Sequence, residues 1–180
     1  SPADKPGELN FKVSYDSPLQ STVRKQGKKL VLRGKGGDHE GVKGVIEVET
    51  QSQVIAESGK VSLTDKYISV EHATAATLYI AAATHFVNYH NVKGNESKKA
   101  SALLAGAMKK EYSEALKAHT DYYQSQFNRV SLSLGGENTK TARQETVKRI
   151  AGFSQGNDPA LAALMFQYGR YLLISSSQPG

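Results

Sequence analysis

The sequence has no cysteine, no tryptophan and only two methionines among its 180 residues. Without cysteine the chain cannot form a disulfide, a zinc–thiolate site or a thiol nucleophile, although this does not fix its compartment. The absence of tryptophan disfavours a flat aromatic platform for sugars, because most of the tyrosines lie on apolar stripes. No apolar run approaches the ~20 residues that a membrane-spanning helix needs.

Motifs of several common sites are also lacking. The glycines between residues 34 and 44 do not form G-x-G-x-x-G before a helix, so no dinucleotide site is predicted. Ser175-Ser176-Ser177 has neither a G-x-S-x-G elbow nor a Ser-His-Asp pattern, and we interpret it as a polar helix end. No signal peptide is visible, but the chain begins with Ser1 rather than Met, so this absence says little about export.

Basic residues outnumber acidic ones, giving a formal net charge of +6 and a pI of about 9.4. The lysines and arginines are scattered, and no basic stripe interleaved with aromatic residues is present. A solvated surface explains the charge better than nucleic-acid binding, so no nucleic-acid partner is predicted. With 38% hydrophobic and 22% charged residues, the composition is that of a globular domain or parts of two.

Short strands with frequent turns dominate the first half of the chain. Alternation of apolar and polar residues predicts a strand at 9–15, and Gln26-Gly27-Lys28 predicts a hairpin between two further strands. Further strands are predicted at 45–50, 61–63, 67–70 and 76–86, the last with Leu78 and Ile80 on one face. This spacing favours an antiparallel β-sandwich, or part of one.

The second half of the chain has helical periodicity. Asn95 or Ser97 is expected to start one long amphipathic helix that runs to about Asn128, followed by a short strand at 130–134. A short helix is predicted at 141–152. A final helix is capped by Asn157 or Asp158 and is apolar nearly all round, which predicts burial on several sides.

The predicted fold class is α+β, because strands and helices are segregated along the chain. The expected domains are residues 1–93, the end of a sandwich; 94–136, a linker helix and short strand; and 137–180, helices only. The final helix requires partners that the chain does not contain, so the sequence reads as a piece of a longer protein. Exposed sheet edges and an uncovered helix predict possible self-association.

The densest group of ionisable residues is Asp38-His39-Glu40, which glycines flank on both sides. A structural turn is favoured over a domain-interface contact, and both over catalysis, because neighbouring side chains in such a segment diverge. His85, His90 and His119 are single histidines near apolar faces, so packing is favoured over metal ligation. No metal site is predicted.

Arg170 lies in the apolar final helix, where an unpaired charge is expensive. We expect a carboxylate partner or a polar cavity, and an ion pair is favoured over contact with a substrate.

Five segments together resemble glycoside hydrolase family 95, the inverting α-L-fucosidases and enzymes acting on related sugars. The most specific is the final helix, where residues 157–164 read NDPALAAL and residues 166–177 read FQYGRYLLISSS. The others follow in the family's order: GDHEGVKG at 37–44, ATLYI at 76–80 with AATHFVNY at 82–89, HTDY at 119–122, and FNRVSLSLG at 127–135. Gln178 departs from the family, which often has arginine there.

The resemblance implies a β-sandwich, a linker helix and the start of an (α/α)₆ barrel, in a secreted or periplasmic protein that acts on glycans. It also implies hydrolysis with inversion by a carboxylic acid and a base that activates water. In the family these groups lie deeper in the barrel than this chain extends, so no catalytic residue is assigned, no cofactor is expected, and the substrate-binding residues stay unknown. The chain alone is expected to be inactive. The alternative from another class is a non-catalytic carbohydrate-binding or scaffold module.

Overall fold

The structure is a computed structural model, and it describes residues 5–177. Gln178 therefore lies outside the described residues. The chain divides into two compact units, Ser1–Lys110 and Glu111–Gly180. The strands of the first unit are β1 (Leu9–Ser14), β2 (Gln20–Gln26), β3 (Lys29–Lys35), β4 (Glu47–Glu57), β5 (Lys60–Leu63), β6 (Tyr67–Ala73) and β7 (Ala75–Thr84). The helices are α1 (Glu96–Met108), α2 (Tyr112–Phe127), α3 (Thr146–Gly152), followed by a 3₁₀ turn (Phe153–Gln155), and α4 (Pro159–Ser176).

The seven strands form two antiparallel sheets, which confirms the predicted sandwich and the α+β class. One sheet has the order β1-β6-β5 and the other β2-β3-β4-β7. The buried core draws residues from both sheets: Leu30, Val54, Ile68, Val70, Ala73 and Ala76. The partly buried side chains of β1 pack against this core, as its alternating pattern predicts.

Two of the turns between strands contain a glycine with positive φ. Gly27 (φ +61°) closes the predicted β2–β3 hairpin, and a Cβ added to it would meet nothing within 4 Å. Gly59 (φ +71°) lies in the turn that leads from β4 of the larger sheet to β5 of the smaller sheet, where an added Cβ would lie 2.3 Å from the Glu71 carbonyl oxygen. Only Gly59 therefore combines the left-handed conformation with a close backbone neighbour.

Strand β4 is longer than the predicted 45–50 segment. Its second half contains polar Gln51, Ser52 and Gln53, which break the hydrophobic signal, yet this half pairs with β7 and in part with β3. Gln51 and Ser52 are fully buried, because the sheet covers their backbone and hydrogen bonds satisfy their side chains.

Helix α1 packs over β4 and β7, where Ala100 and Leu104 are buried beside the small side chains of Ala81 and Ala83. The large side chains on the opposite face of β7 stay exposed, Ile80 among them. The sequence pattern indicates the large residues Leu78 and Ile80 as one face of this strand. The buried face of β7 beneath α1 instead has alanines, whose small side chains allow the helix to approach closely. The Asn95 side chain caps α1 by accepting from Lys98 N at 2.7 Å.

The single long helix expected from about 95 to 128 is two helices in the structure. Helix α1 ends just after Gly106, a weak helix former, and Glu111 is extended (φ −63°, ψ 141°) before α2 begins. The expected strand at 130–134 is irregular backbone, because alternation alone does not supply a pairing partner. Helix α3 starts at Thr146 rather than 141, after a turn in which Ala142 N donates to Thr139 Oγ1 at 3.1 Å.

Helix α4 begins as predicted, with Asp158 as its cap and Pro159 in its first turn. Leu161 and Ala163 are buried, but most of its other large side chains are exposed: Leu164, Met165, Phe166, Tyr168, Tyr171, Leu172 and Leu173. The burial on several sides that its composition predicts is not provided by the described residues. Within residues 5–177 no helix has the length and apolarity to cross a membrane.

Candidate functional site

The Asp38-His39-Glu40 segment is a tight turn held by its own side chain. Asp38 accepts from Lys43 Nζ at 2.6 Å and from the Gly44 backbone N–H at 3.0 Å, while His39 and Val42 bridge their backbones. The hydrogen bond from Lys43 lowers the pKa of the Asp38 carboxyl. His39 and Glu40 are exposed. This geometry agrees with the turn interpretation.

The three candidate histidines are not brought together. His85 Nε2 lies 2.9 Å from the Val45 carbonyl oxygen and 3.2 Å from Glu47 N, so the ring joins the end of β7 to the entry of β4. The His90 ring lies 3.9 Å from that of Tyr89, and His119 stacks on Tyr123. Throughout residues 5–177 no group of three potential ligands could hold a metal ion.

Arg170 binds carbonyl oxygens where a carboxylate was expected. Its Nη1 donates to Val130 O at 2.7 Å and its Nη2 to Phe127 O at 2.6 Å, with the Gln167 side chain as a further acceptor. The guanidinium also lies 4.6 Å from the centre of the Phe127 ring. A cation at the C-terminal carbonyls of α2 is stabilised by the helix dipole, so Arg170 joins α4 to the end of α2.

A second arginine of the helical unit forms the buried ion pair that sequence reasoning missed. Arg149 Nε donates to Asp158 Oδ2 at 2.8 Å and its Nη2 to Oδ1 at 2.9 Å, and both residues are buried. Asp158 Oδ1 also accepts from Leu161 N at 3.0 Å. The hydrogen bonds from Arg149 lower the pKa of Asp158. The sequence predicts a helix cap at Asn157 or Asp158, but it does not reveal Arg149 as the partner of the Asp158 carboxylate.

A buried polar network lies on the four-stranded sheet of the first unit, beneath α1. Glu49 is 0% exposed, and it accepts from Arg33 Nε at 2.6 Å and from Gln51 Nε2 at 2.5 Å. Gln51 donates in turn to Ser101 Oγ of α1 at 2.9 Å and accepts from Lys29 Nζ at 2.7 Å. Burial works to raise the pKa of Glu49, but its hydrogen bonds outweigh this and hold the pKa below its usual value.

Beside α1, two polar cavities lie along β2 and β3. The first has a volume of about 310 Å³ and extends from Gln20 and Thr22 across Arg33 and Lys35 to Glu47 and Glu96. The second has a volume of about 260 Å³ and is lined by Thr22, Arg24, Lys25, Gln26, Val31 and Arg33. Thr22 and Arg33 line both cavities, which therefore adjoin each other, and we call the two together the β2–β3 groove.

Two family models match the chain. Residues 111–180 match the model described as the glycosyl hydrolase family 95 catalytic domain. Residues 2–89 match the model described as the glycosyl hydrolase family 65 N-terminal domain.

Two curated relatives from eukaryotes are similar to the chain. "Alpha-L-fucosidase 2" of Arabidopsis thaliana is 35% identical over 208 aligned positions, which cover 99% of this chain and 24% of the relative. "Probable alpha-fucosidase A" of Aspergillus niger is 40% identical over 86 positions, which cover 48% of this chain and 11% of the relative. The chain therefore spans about a quarter or less of the length of these relatives.

Proposed function

We propose that the chain is part of an inverting α-L-fucosidase of glycoside hydrolase family 95, which removes terminal fucose, or a related sugar, from glycans; the match of residues 111–180 to the catalytic-domain model of that family supports this. The observation that carries this proposal is the 35% identity to the Arabidopsis protein named alpha-L-fucosidase 2 across 99% of the chain. The two matched ranges, 2–89 and 111–180, support a sandwich followed by the first helices of a catalytic barrel. In this proposal residues 137–180 open the barrel, and the segment 94–136 links the two domains.

The proposed reaction is general acid and base hydrolysis with inversion of the anomeric centre. One carboxylic acid protonates the leaving oxygen, and a base about 6.5–9.5 Å away activates the attacking water. The general acid needs a raised pKa so that it is protonated at working pH. The carboxyl groups of the described residues whose pKa departs from its ordinary value shift downwards: Asp38, Glu49, Glu137 and Asp158.

Each of those lowered carboxyls is engaged by a neighbouring group. Lys43 binds Asp38, Arg33 and Gln51 bind Glu49, Ser133 donates to Glu137, and Arg149 binds Asp158. A carboxylate stabilised in its charged form is a poor proton donor, so these four carboxyls are poor candidates for the general acid. The described residues of the helical unit then act as scaffold, with Arg149 and Arg170 fixing α4.

The experiment compares the chain with its full-length parent on an aryl α-L-fucoside. The parent is expected to release the aglycone, and ¹H NMR is expected to detect β-fucose as the first product because inversion changes the anomer. An aryl β-L-fucoside is the matched control and should not be hydrolysed. Release of α-fucose first would contradict inversion, and turnover by the 180-residue chain would contradict the absence of catalytic groups from it.

We further propose a secreted or periplasmic location for the parent. The support is the similarity to proteins named as fucosidases, in a family that the sequence motifs also indicate. Fractionation of the source organism with an antibody against this chain tests the location. Signal confined to the cytoplasmic fraction would refute it.

A further inference from the structure

Helix α1 covers only part of one face of the larger sheet. The β2–β3 groove lies on the part of that face that the helix leaves open. The helix packs over β4 and β7, whereas Thr22, Arg24, Arg33 and Lys35 on the neighbouring strands are exposed. Their side chains share one face because Thr22 pairs with Arg33 and the others lie two residues along. The sheet therefore presents a polar strip beside the helix.

The groove carries one cation on each of three successive rungs of the hairpin. The rungs pair Arg24 with Val31, Thr22 with Arg33, and Gln20 with Lys35. Residues two apart on a strand are separated by about 7 Å, so the positive charges recur at about that spacing. The neutral partners Thr22 and Gln20 offer hydroxyl and amide groups beside the cations, as recognition of a hydroxylated, negatively charged chain requires.

Arg33, at the centre of the groove, is oriented before any ligand arrives. Its Nε donates to Glu49 Oε2 at 2.6 Å, and Glu49 is buried and fixed from its other oxygen by Gln51. The Arg33 side chain is nevertheless 57% exposed, and its two terminal nitrogens have no partner among the described residues. A planar guanidinium matches a planar carboxylate through two parallel hydrogen bonds, and fixing it in advance reduces the entropy lost on binding.

The sign of the charges that line the groove changes along its length. Its lining includes the cations Arg24, Lys25, Arg33 and Lys35, while the carboxylates Glu47 and Glu96 lie only in the cavity that also holds Lys35. The two carboxylates can accept hydrogen bonds from sugar hydroxyls but repel anions, so the negative charges of a ligand are expected near Arg24 and Arg33. No aromatic residue lines either cavity, which disfavours the base stacking that single-stranded nucleic acid uses.

We propose that the β2–β3 groove binds a linear polyuronate, an acidic polysaccharide with a carboxylate on each sugar residue, and that Arg33 is its central carboxylate ligand. The repeated cations and the oriented guanidinium select charge at regular intervals, while the polar side chains between them contact hydroxyls. This binding site goes beyond the proposed fucoside hydrolysis, so the fucosidase assay and the binding assay can fail independently.

The test is native affinity electrophoresis of the full chain in gels containing polygalacturonate, with neutral dextran, dextran sulfate and single-stranded DNA as comparison polymers. Polygalacturonate is expected to retard the chain more than the other three, and added salt should weaken the effect because the contacts are ionic. Retardation that is equal or greater with dextran sulfate, DNA or neutral dextran, or absent with polygalacturonate, would overturn the proposal.

Two charge-matched double variants locate the site. R24A/K35A removes the flanking cations but leaves the Arg33–Glu49 pair intact, and K60A/K66A removes two exposed lysines from the smaller sheet and its turn. The first is expected to weaken binding roughly threefold to tenfold, as the loss of two exposed charge contacts predicts, and the second to leave it unchanged. Equal losses in both would show general charge attraction and overturn the site.

Arg33 itself is tested by Arg33→Lys, which keeps a positive charge near Glu49 but loses the planar fork. Polygalacturonate binding should fall further than in R24A/K35A, with circular dichroism confirming that the variant is folded. A folded R33K chain that binds as tightly as the unmodified chain would refute the central role of Arg33. If R33K unfolds, the R24A/K35A comparison still decides the location of the site.

Discussion

Replacing Gly59 with alanine should destabilise the sandwich much more than the same replacement at Gly27. Both glycines have positive φ in turns between strands, so each substitution carries the penalty of about 1–2 kcal/mol for placing an L-residue in the left-handed region. At Gly59 the new Cβ would also lie 2.3 Å from the Glu71 oxygen and 2.6 Å from the His72 carbonyl. Backbone must move there, which adds about 1–3 kcal/mol by analogy with overpacked cores. At Gly27 the Cβ meets nothing within 4 Å.

The expected free-energy losses are therefore about 1–2 kcal/mol for Gly27→Ala and about 2–5 kcal/mol for Gly59→Ala. Hydrogen exchange measured by mass spectrometry in increasing urea suits this comparison, because peptides from β3 and β4 report on the first unit without the second. Gly27→Ala is the matched control for the effect of φ. Equal losses in the two variants would refute the reasoning, since they would show that the β4–β5 turn accommodates a methyl group without moving the β6 backbone.

Four further substitutions test the packing of the core, the buried ion pair and the contacts of Arg170 with backbone carbonyls. Leu30→Ala, in the fully buried core, should lower the unfolding free energy by about 2–5 kcal/mol. Ile80→Ala, on the exposed face of β7, should lower it by less than about 1 kcal/mol. The reverse order in urea unfolding would contradict the assigned core. The pKa of Asp158 is lowered in the folded state, so its pair with Arg149 should stabilise the helical unit above the ordinary carboxyl pKa of about 4. This contribution should be lost as the pH falls through the lower, folded-state pKa. Asp158→Asn should therefore flatten the dependence of Tm on pH measured by calorimetry. Arg170→Lys should lower the Tm of the helical unit measured by circular dichroism, because an ammonium group cannot reach the separate carbonyls of Phe127 and Val130 together; an unchanged Tm would show that these hydrogen bonds contribute little.

The sequence predicts best where a local rule decides the structure. The Asp158-Pro159 pair predicts the start of α4, and Gln26-Gly27-Lys28 predicts the β2–β3 hairpin. Both predictions are confirmed, because cap and turn preferences act over a few neighbouring residues. Segregated strands and helices likewise suffice for the α+β class. The buried, polar second half of β4 escaped prediction because its stability comes from pairing on both edges and from α1, which local periodicity does not contain.

The contacts of the two arginines and the β2–β3 groove depend on positions that are not neighbours in the sequence. Arg149 and Asp158 meet across a 3₁₀ turn, and Arg170 reaches carbonyls about 40 residues earlier, so neither pairing has a spacing that a motif could reveal. The β2–β3 groove is harder still to predict. It exists because the hairpin register places three cations on one face and because α1 packs over β4 and β7, beside that face.

The network below α1 also constrains how this sandwich can evolve. Glu49 satisfies Arg33 and Gln51 simultaneously, and Gln51 in turn holds Ser101 of the helix. Loss of Arg33 would leave the buried Glu49 carboxylate without its charged partner, so related sequences should exchange these two positions together, and a double-mutant cycle between them should be strongly non-additive. A lineage that replaced the carboxylate with an apolar residue would release Arg33 into solvent and lose the oriented guanidinium, while Gln51 would still hold Ser101 of the helix.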